Sequence, residues 1–276
     1  MSTSPPTKYV LGSNEAEIGR LDLQAAAIAP ATALLVRQAG ITEGMRVLDV
    51  GTGLGHVAFE VASIVGPSGQ VVGIDQSTEL LEVADHRRAE RGLANMRFQE
   101  ADARTFRDPE PFDAVVTRLL LFHLPDAVDV VAHHVASLRP GGTFVAIDYD
   151  VGTLRSDPVV PLVTAAISWI DAAFRAAGAD PRIGAHLALL LDAAGAADVQ
   201  TFGVQEYLAP DDPRGPAQFA GVVASLAPQI VQAGIATEDE LDLPTFHERI
   251  TREITMAGAV VVPPCVVGAW GNRAAP

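Results

Sequence analysis

Three glycines and three aspartates carry the chemistry most legible in this chain. Gly51, Gly53 and Gly55 fall within Asp49-Val50-Gly51-Thr52-Gly53-Leu54-Gly55, directly after the apolar Val47-Leu48 and before a helix-forming segment. Glycines at a strand-to-helix turn accept positive φ and let a ligand approach the backbone closely. The helix that follows aims unpaired N–H groups and the positive end of its dipole at whatever the turn holds. Asp75 ends the next apolar run, 24 residues after Gly51. A carboxylate there can accept hydrogen bonds from both hydroxyls of a ribose bound at the turn. Asp102, in Glu100-Ala101-Asp102-Ala103, follows a third run, where a side chain can bond an adenine amino group.

This set suits two nucleotide-derived cofactors. A nicotinamide dinucleotide calls for G-x-G-x-x-G, whereas the spacing here is G-x-G-x-G and position 56 is His. Asp49, two residues before the first glycine, would repel a pyrophosphate and favour a cofactor carrying an ammonium and a sulfonium. An NAD-dependent oxidoreductase is therefore the weaker alternative. Beyond the turn, His123 lies in Leu119-Leu120-Leu121-Phe122-His123-Leu124-Pro125, close behind a strand end, and its ordinary pKa of about 6.5 suits a base at neutral pH. A packed structural histidine is an equal reading. Asp148, Tyr149 and Asp150 follow a later strand, and Tyr149 and Asp150 compete with His123 for the catalytic role. His56 fits a helix start or a cofactor contact, while His133 and His134 fit the surface or helix packing. No pair among the seven histidines has the spacing of a helical metal site beside an acid, so no metal is expected.

The elements that must position these residues alternate. Strands are expected over 46–50, 70–75, 95–100, 112–117 and 142–148, with helices over 55–65, 77–92 and 126–138. Runs apolar at nearly every residue, separated by helix-length segments, predict a parallel sheet covered on both faces, and right-handed crossovers make it doubly wound. Before it, 15–39 reads as helical, with Pro30 breaking or kinking it. After it, helical patterns over 156–195 and 213–256 are interleaved with strand-like 198–208 and 257–268. The expectation is an α/β fold with a mostly parallel seven-stranded sheet and helical cap insertions. Its parts are an N-terminal helical lid segment at 1–39, a cofactor-binding core at 40–154, and cap helices with the last two strands at 155–276.

Composition narrows the partners. The chain has 276 residues, 49% of them hydrophobic, which supplies a large core. Its 19 basic and 34 acidic residues give a net charge of −15, which argues against nucleic acid and against anionic membrane surfaces. The single cysteine, Cys265, excludes an intrachain disulfide. No leader-like segment and no stretch of about 18 apolar residues is evident, so a cytoplasmic protein is expected. A small-molecule acceptor and, compatible with the composition, a homo-oligomer complete the expected partners. Trp169, Ile170, Phe174, Phe219 and Phe246 suggest an apolar pocket for such an acceptor, or ordinary helix packing.

Val47-Leu48-Asp49-Val50-Gly51-Thr52-Gly53-Leu54-Gly55 resembles the first motif of class I S-adenosylmethionine (SAM)-dependent methyltransferases, with their Rossmann-like fold. Asp75 is similar to their ribose-binding acid, Ala101-Asp102-Ala103 to their adenine motif, and Phe112-Asp113-Ala114-Val115-Val116 to their fourth-strand motif. Leu138-Arg139-Pro140-Gly141-Gly142 resembles the turn before their fifth strand, so the likeness spans 45–150. Tyr9-Val10-Leu11-Gly12 and Gln24 resemble the segment that folds over the methionine end in bacterial small-molecule enzymes of this kind. The resemblance implies SAM as cofactor, held by backbone around Gly51, Thr52 and Gly53. It implies Asp75 on the ribose, Gln76 near the adenine, Asp102 and the Ala103 amide reading the adenine, and Arg118 near the methionine carboxylate. Thr117-Arg118-Leu119-Leu120 stands where amide-methylating relatives carry an Asn/Asp-Pro-Pro-Tyr-like element, which points to a small organic acceptor, such as a secondary-metabolite intermediate. A SAM-binding protein that does not methylate is the other reading of intact motifs.

Overall fold

A computed structural model describes residues 15–274, so Tyr9 lies outside the described residues. The chain order is α1 (Glu15–Gln38), β1 (Arg46–Val50), α2 (His56–Val65), β2 (Gln70–Asp75), α3 (Thr78–Glu90), β3 (Met96–Glu100), β4 (Phe112–Arg118), α4 (Ala127–Ser137) and β5 (Leu138–Asp150). Then follow β6 (Arg155–Asp157), α5 (Pro161–Ala176), α6 (Ile183–Ala193), β7 (Ala197–Val204), α7 (Arg214–Gln232), α8 (Glu238–Leu241), α9 (Leu243–Ala257), β8 (Val260–Val262) and β9 (Cys265–Asn272). The seven-stranded sheet runs in the order β3-β2-β1-β4-β5-β9-β7. Strands β1 to β5 pair in parallel, as their apolar runs predict. Val47, Leu48 and Val50 on β1 and Val71, Val72 and Ile74 on β2 are buried on both faces.

Register explains why the chemistry collects at one edge. Val50 pairs with Ile74 on one side and with Thr117 on the other, and Arg118 pairs with Ile147. The residues that follow β1, β2, β4 and β5 therefore emerge together at the carboxyl ends of the strands. The strand order reverses between β1 and β4, and an open α/β sheet forms its ligand crevice at such a switch point.

By its internal contacts the chain forms two compact units. One comprises residues 13–148, 183–203 and 266–276 and carries the sheet, with Leu48, Val115, Phe144, Leu187 and Ala269 in its core. The other comprises, among the described residues, 149–182 and 204–265. In it α5, α7 and α9 pack together, and β6 pairs antiparallel with β8. Ile170, Phe174, Phe219 and Phe246 are buried there, and the Trp169 and Phe246 rings lie 6.3 Å apart. Packing among the helices accounts for these apolar side chains.

Three expectations of extent are corrected. The expected strand at 257–268 is two strands, because Pro263 and Pro264 offer no N–H to a ladder. The strand expected at 198–208 is β7, which stops at Val204, while Leu208 makes only an isolated bridge to Val261. Helix α1 runs through Pro30 without ending there.

Candidate functional site

The turn after β1 is built by backbone hydrogen bonds. The Gly51 and Thr52 N–H groups both donate to the Ile74 carbonyl at 2.9 Å, tying the turn to the end of β2. Gly51 has φ +72°, and a Cβ there would meet the Leu120 side chain at 3.0 Å, so the Leu119-Leu120 turn closes directly on it. Leu119 itself holds φ +55°, a conformation a branched side chain resists. Gly53 differs: at φ +49° its added Cβ would come no nearer than 4.0 Å to Leu80. The protein leaves space beside the Gly53 backbone.

Two carboxylates frame that space. Asp75 accepts the Gly53 N–H on Oδ2 at 2.8 Å and the Ser77 N–H on Oδ1 at 3.0 Å. Each oxygen keeps a lone pair for a further donor. Asp49 is 1% exposed, and its Oδ2 accepts the Thr52 hydroxyl at 2.6 Å. Its Oδ1 is buried without a hydrogen-bond partner of good geometry among the described residues, although the Ala58 N–H also helps to lower the carboxyl's pKa. Burial pushes the Asp49 carboxyl up to about 6, although the Thr52 bond and the nearby Arg118 charge pull it down. A buried carboxylate short of partners favours a cationic ligand such as an ammonium, and disfavours a pyrophosphate.

The residues expected to meet an adenine follow β3. The Ala101 N–H donates to the Asp75 carbonyl at 2.9 Å, which sets the loop beside Asp75. Asp102 Oδ1 accepts the Arg104 N–H at 2.8 Å, and its carbonyl takes those of Thr105 and Phe106. Ala103 is half-buried, while Gln76 is exposed at the end of β2. Arg118 donates to Thr32 of α1 at 2.9 Å, and Gln24 accepts from Arg20 within α1. The structure thus brings Asp49, Gly51, Thr52, Gly53, Asp75 and Ala101 into one bonded set, with Asp102 and Ala103 continuing it. Tyr149 and Asp150 belong to the other compact unit, where Asp150 caps Gly152. Among the described residues no group of His, Cys, Asp and Glu could hold a metal.

The histidines gain partners that their local sequence does not show. Burial and the Arg20 charge push the His123 ring down to about 4, well below its ordinary value. His56 bonds Asp22 of α1 at 2.8 Å, and Arg87 grips both oxygens of Asp22 at 2.9 Å. Helix α1 is therefore fastened to α2 and α3. His134 is fully buried in α4, which fits the helix-packing alternative and not the surface one, and it also bonds the Ala103 carbonyl at 2.7 Å. Burial holds its pKa near about 4.

Gly73 escaped sequence reasoning. A Cβ at that position would lie 2.6 Å from Phe98 Cδ1 and 2.8 Å from the Thr52 hydroxyl, which is the group bonded to Asp49. A lone glycine inside Val71-Val72-Gly73-Ile74 is a signal of close approach within a strand.

A methyltransferase-domain model matches residues 41–173. Over that span the chain is similar to class I SAM-dependent methyltransferases. The ubiquinone/menaquinone biosynthesis C-methyltransferase UbiE of Ectopseudomonas mendocina is 33% identical over 116 residues, covering 41% of this chain and 45% of that protein. The demethylmenaquinone methyltransferase of Lactococcus lactis is 30% identical over 128 residues, covering 46% and 48%. The chain spans about half the length of these curated relatives. The crystal structure of YcgJ from Bacillus subtilis shares the fold at a TM-score of 0.58, with 18% identity over 89% of this chain and 99% of that one. The turn after β1 fits SAM at the two points just described: the buried Asp49 oxygen suits an ammonium, and the open backbone at Gly53 leaves room for it.

Two expected results follow from this geometry. Asp75→Ala should weaken S-adenosylhomocysteine binding about ten- to a hundredfold, roughly 1.5–3 kcal/mol, measured by calorimetry. Asp75→Asn keeps an acceptor for the Gly53 N–H and should hold the turn while still weakening binding. Unchanged affinity in both folded variants would restrict Asp75 to a structural part.

The second concerns acid. With a folded pKa near about 4 against 6.5 unfolded, His134 takes its proton more readily in the unfolded chain. Its contribution is intact above about pH 6.5 and is lost as pH falls toward 4, reaching roughly 2–3 kcal/mol by pH 4.5. Urea unfolding at pH 7.5 and 4.5 should show wild type losing more stability on acidification than His134→Gln, by about that amount. Equal losses would mean the ring titrates normally.

Proposed function

We propose that this chain transfers the methyl group of SAM to a small organic acceptor, such as a secondary-metabolite intermediate. The observation that carries the reading is the buried Asp49 oxygen, without a hydrogen-bond partner of good geometry among the described residues, beside the open backbone at Gly53. That donor set suits a cationic amino-acid moiety. When bound, SAM supplies a sulfonium-activated methyl group, so the protein's tasks are alignment and exclusion of water.

In this reading Asp75 takes the ribose hydroxyls, and Asp102 with the Ala103 N–H reads the adenine beside Gln76. Arg118 lies near the methionine carboxylate, with Gln24 on the same side. The relatives named for quinone C-methylation support a small organic acceptor over a macromolecule. A net charge of −15 points the same way. His123 is the proposed proton acceptor, with Tyr149 and Asp150 as its competitors.

The deciding experiment incubates the protein with methyl-deuterated SAM and a panel of phenolic, enolic and amine acceptors, followed by mass spectrometry. A labelled product establishes the activity. Tight S-adenosylhomocysteine binding with no transfer to any acceptor would favour a non-methylating role, and binding of NADH alone would favour an oxidoreductase.

A further inference from the structure

The loop that follows β3 is fastened to α4 at three successive points. Arg104 donates from Nε and Nη2 to the two oxygens of Asp126, the residue that precedes α4, at 2.7 and 2.9 Å. The His134 Nε2 lies 2.7 Å from the Ala103 carbonyl, and the His133 Nε2 lies 2.7 Å from the Phe106 carbonyl. Carbonyl oxygens only accept, so both rings carry their proton on Nε2 and donate it. The rings meet edge to face at 5.0 Å, which steadies them against each other.

Of the two rings, His134 is the more informative. It is 0% exposed, and its Nδ1 is buried with no hydrogen-bond partner among the described residues. An aliphatic side chain would fill the same space without stranding a ring nitrogen. What the imidazole adds is one directed donor, and that donor is spent on Ala103. The loop's own bonds satisfy the Asp102 carbonyl instead, through the Thr105 and Phe106 N–H groups.

We propose that His134 is a positioning residue for adenine recognition, holding the 101–106 loop so that Asp102 and the Ala103 N–H face the base. The proposal rests on the cofactor reading given above. It adds that base selectivity is set from α4 by a side chain that does not touch the ligand.

The test compares dissociation constants for S-adenosylhomocysteine and S-inosylhomocysteine, whose base carries an oxygen in place of the adenine amino group. Wild type should prefer the adenine form. His134→Leu should lose about tenfold in affinity for it and most of the preference. His134→Gln, whose amide can donate to the same carbonyl, should recover both to within about threefold. A folded His134→Leu that weakens both ligands equally, or neither, overturns the proposal. If His134→Leu does not fold, His134→Gln decides: its preference should stay within about threefold of wild type, and a lost preference in that folded variant also overturns it. Asp102→Asn separates the two levels. If it leaves the preference untouched, the adenine reading itself fails. If it abolishes the preference while His134→Leu does not, only the role of His134 fails.

Discussion

Gly53→Val is expected to leave no measurable affinity for S-adenosylhomocysteine in a chain that still folds. The structural cost is bounded. A Cβ at Gly53 meets nothing closer than Leu80 at 4.0 Å, so the penalty is chiefly that of a β-branched residue at φ +49°, about 1–2 kcal/mol. The functional cost is larger, because the isopropyl group fills the space beside the backbone that the proposed ligand needs. It also disturbs the peptide whose N–H is held by Asp75. Calorimetry reads the affinity, and thermal unfolding reads the fold. Gly73→Ala is the contrasting control: its Cβ collides with Phe98 and the Thr52 hydroxyl inside the protein, so its larger effect should be on stability. A crystal of Gly53→Val with SAM seated normally at this turn would refute the assignment.

His123→Gln is expected to lower turnover about a hundredfold or more, with cofactor affinity little changed. His123 follows β4 by a short turn, in which its backbone N–H donates to the Leu120 carbonyl at 2.9 Å, and its ring packs edge-on against Phe122 at 4.1 Å. Because burial and Arg20 hold its pKa at about 4, it is neutral across the physiological range and always ready to accept. A base that weak suits a proton leaving an acceptor that methylation has already made cationic and strongly acidic. The pH profile of kcat at saturating SAM checks this directly. Turnover should stay level from pH 8 to about 5 and fall only below that. Saturation matters because Asp49, with its pKa raised to about 6, would otherwise add a limb through cofactor binding. Near wild-type turnover in the variant, with the true acceptor, would return His123 to a packing role and leave Tyr149 and Asp150 as candidates.

What the sequence by itself determined is the set of features that local chain geometry fixes. Asp49, Gly51, Gly53 and Gly55 lie within seven residues of one strand, turn and helix, so their relation needs no distant partner to be read. The alternation of doubly buried strands with helices is likewise a local pattern repeated, and it sufficed for the parallel sheet and for Asp75 and Asp102 at strand ends. Tertiary structure decided what each polar group bonds to. Asp75 holds Gly53 from 22 residues away, His134 holds Ala103 from 31, Asp22 is gripped by Arg87 from 65, and Arg118 reaches Thr32 across 86. Such pairings depend on register and helix packing, which no short window contains. The same holds for ionisation: His123 looks like an ordinary imidazole in its local sequence, and only burial beside Arg20 moves its pKa.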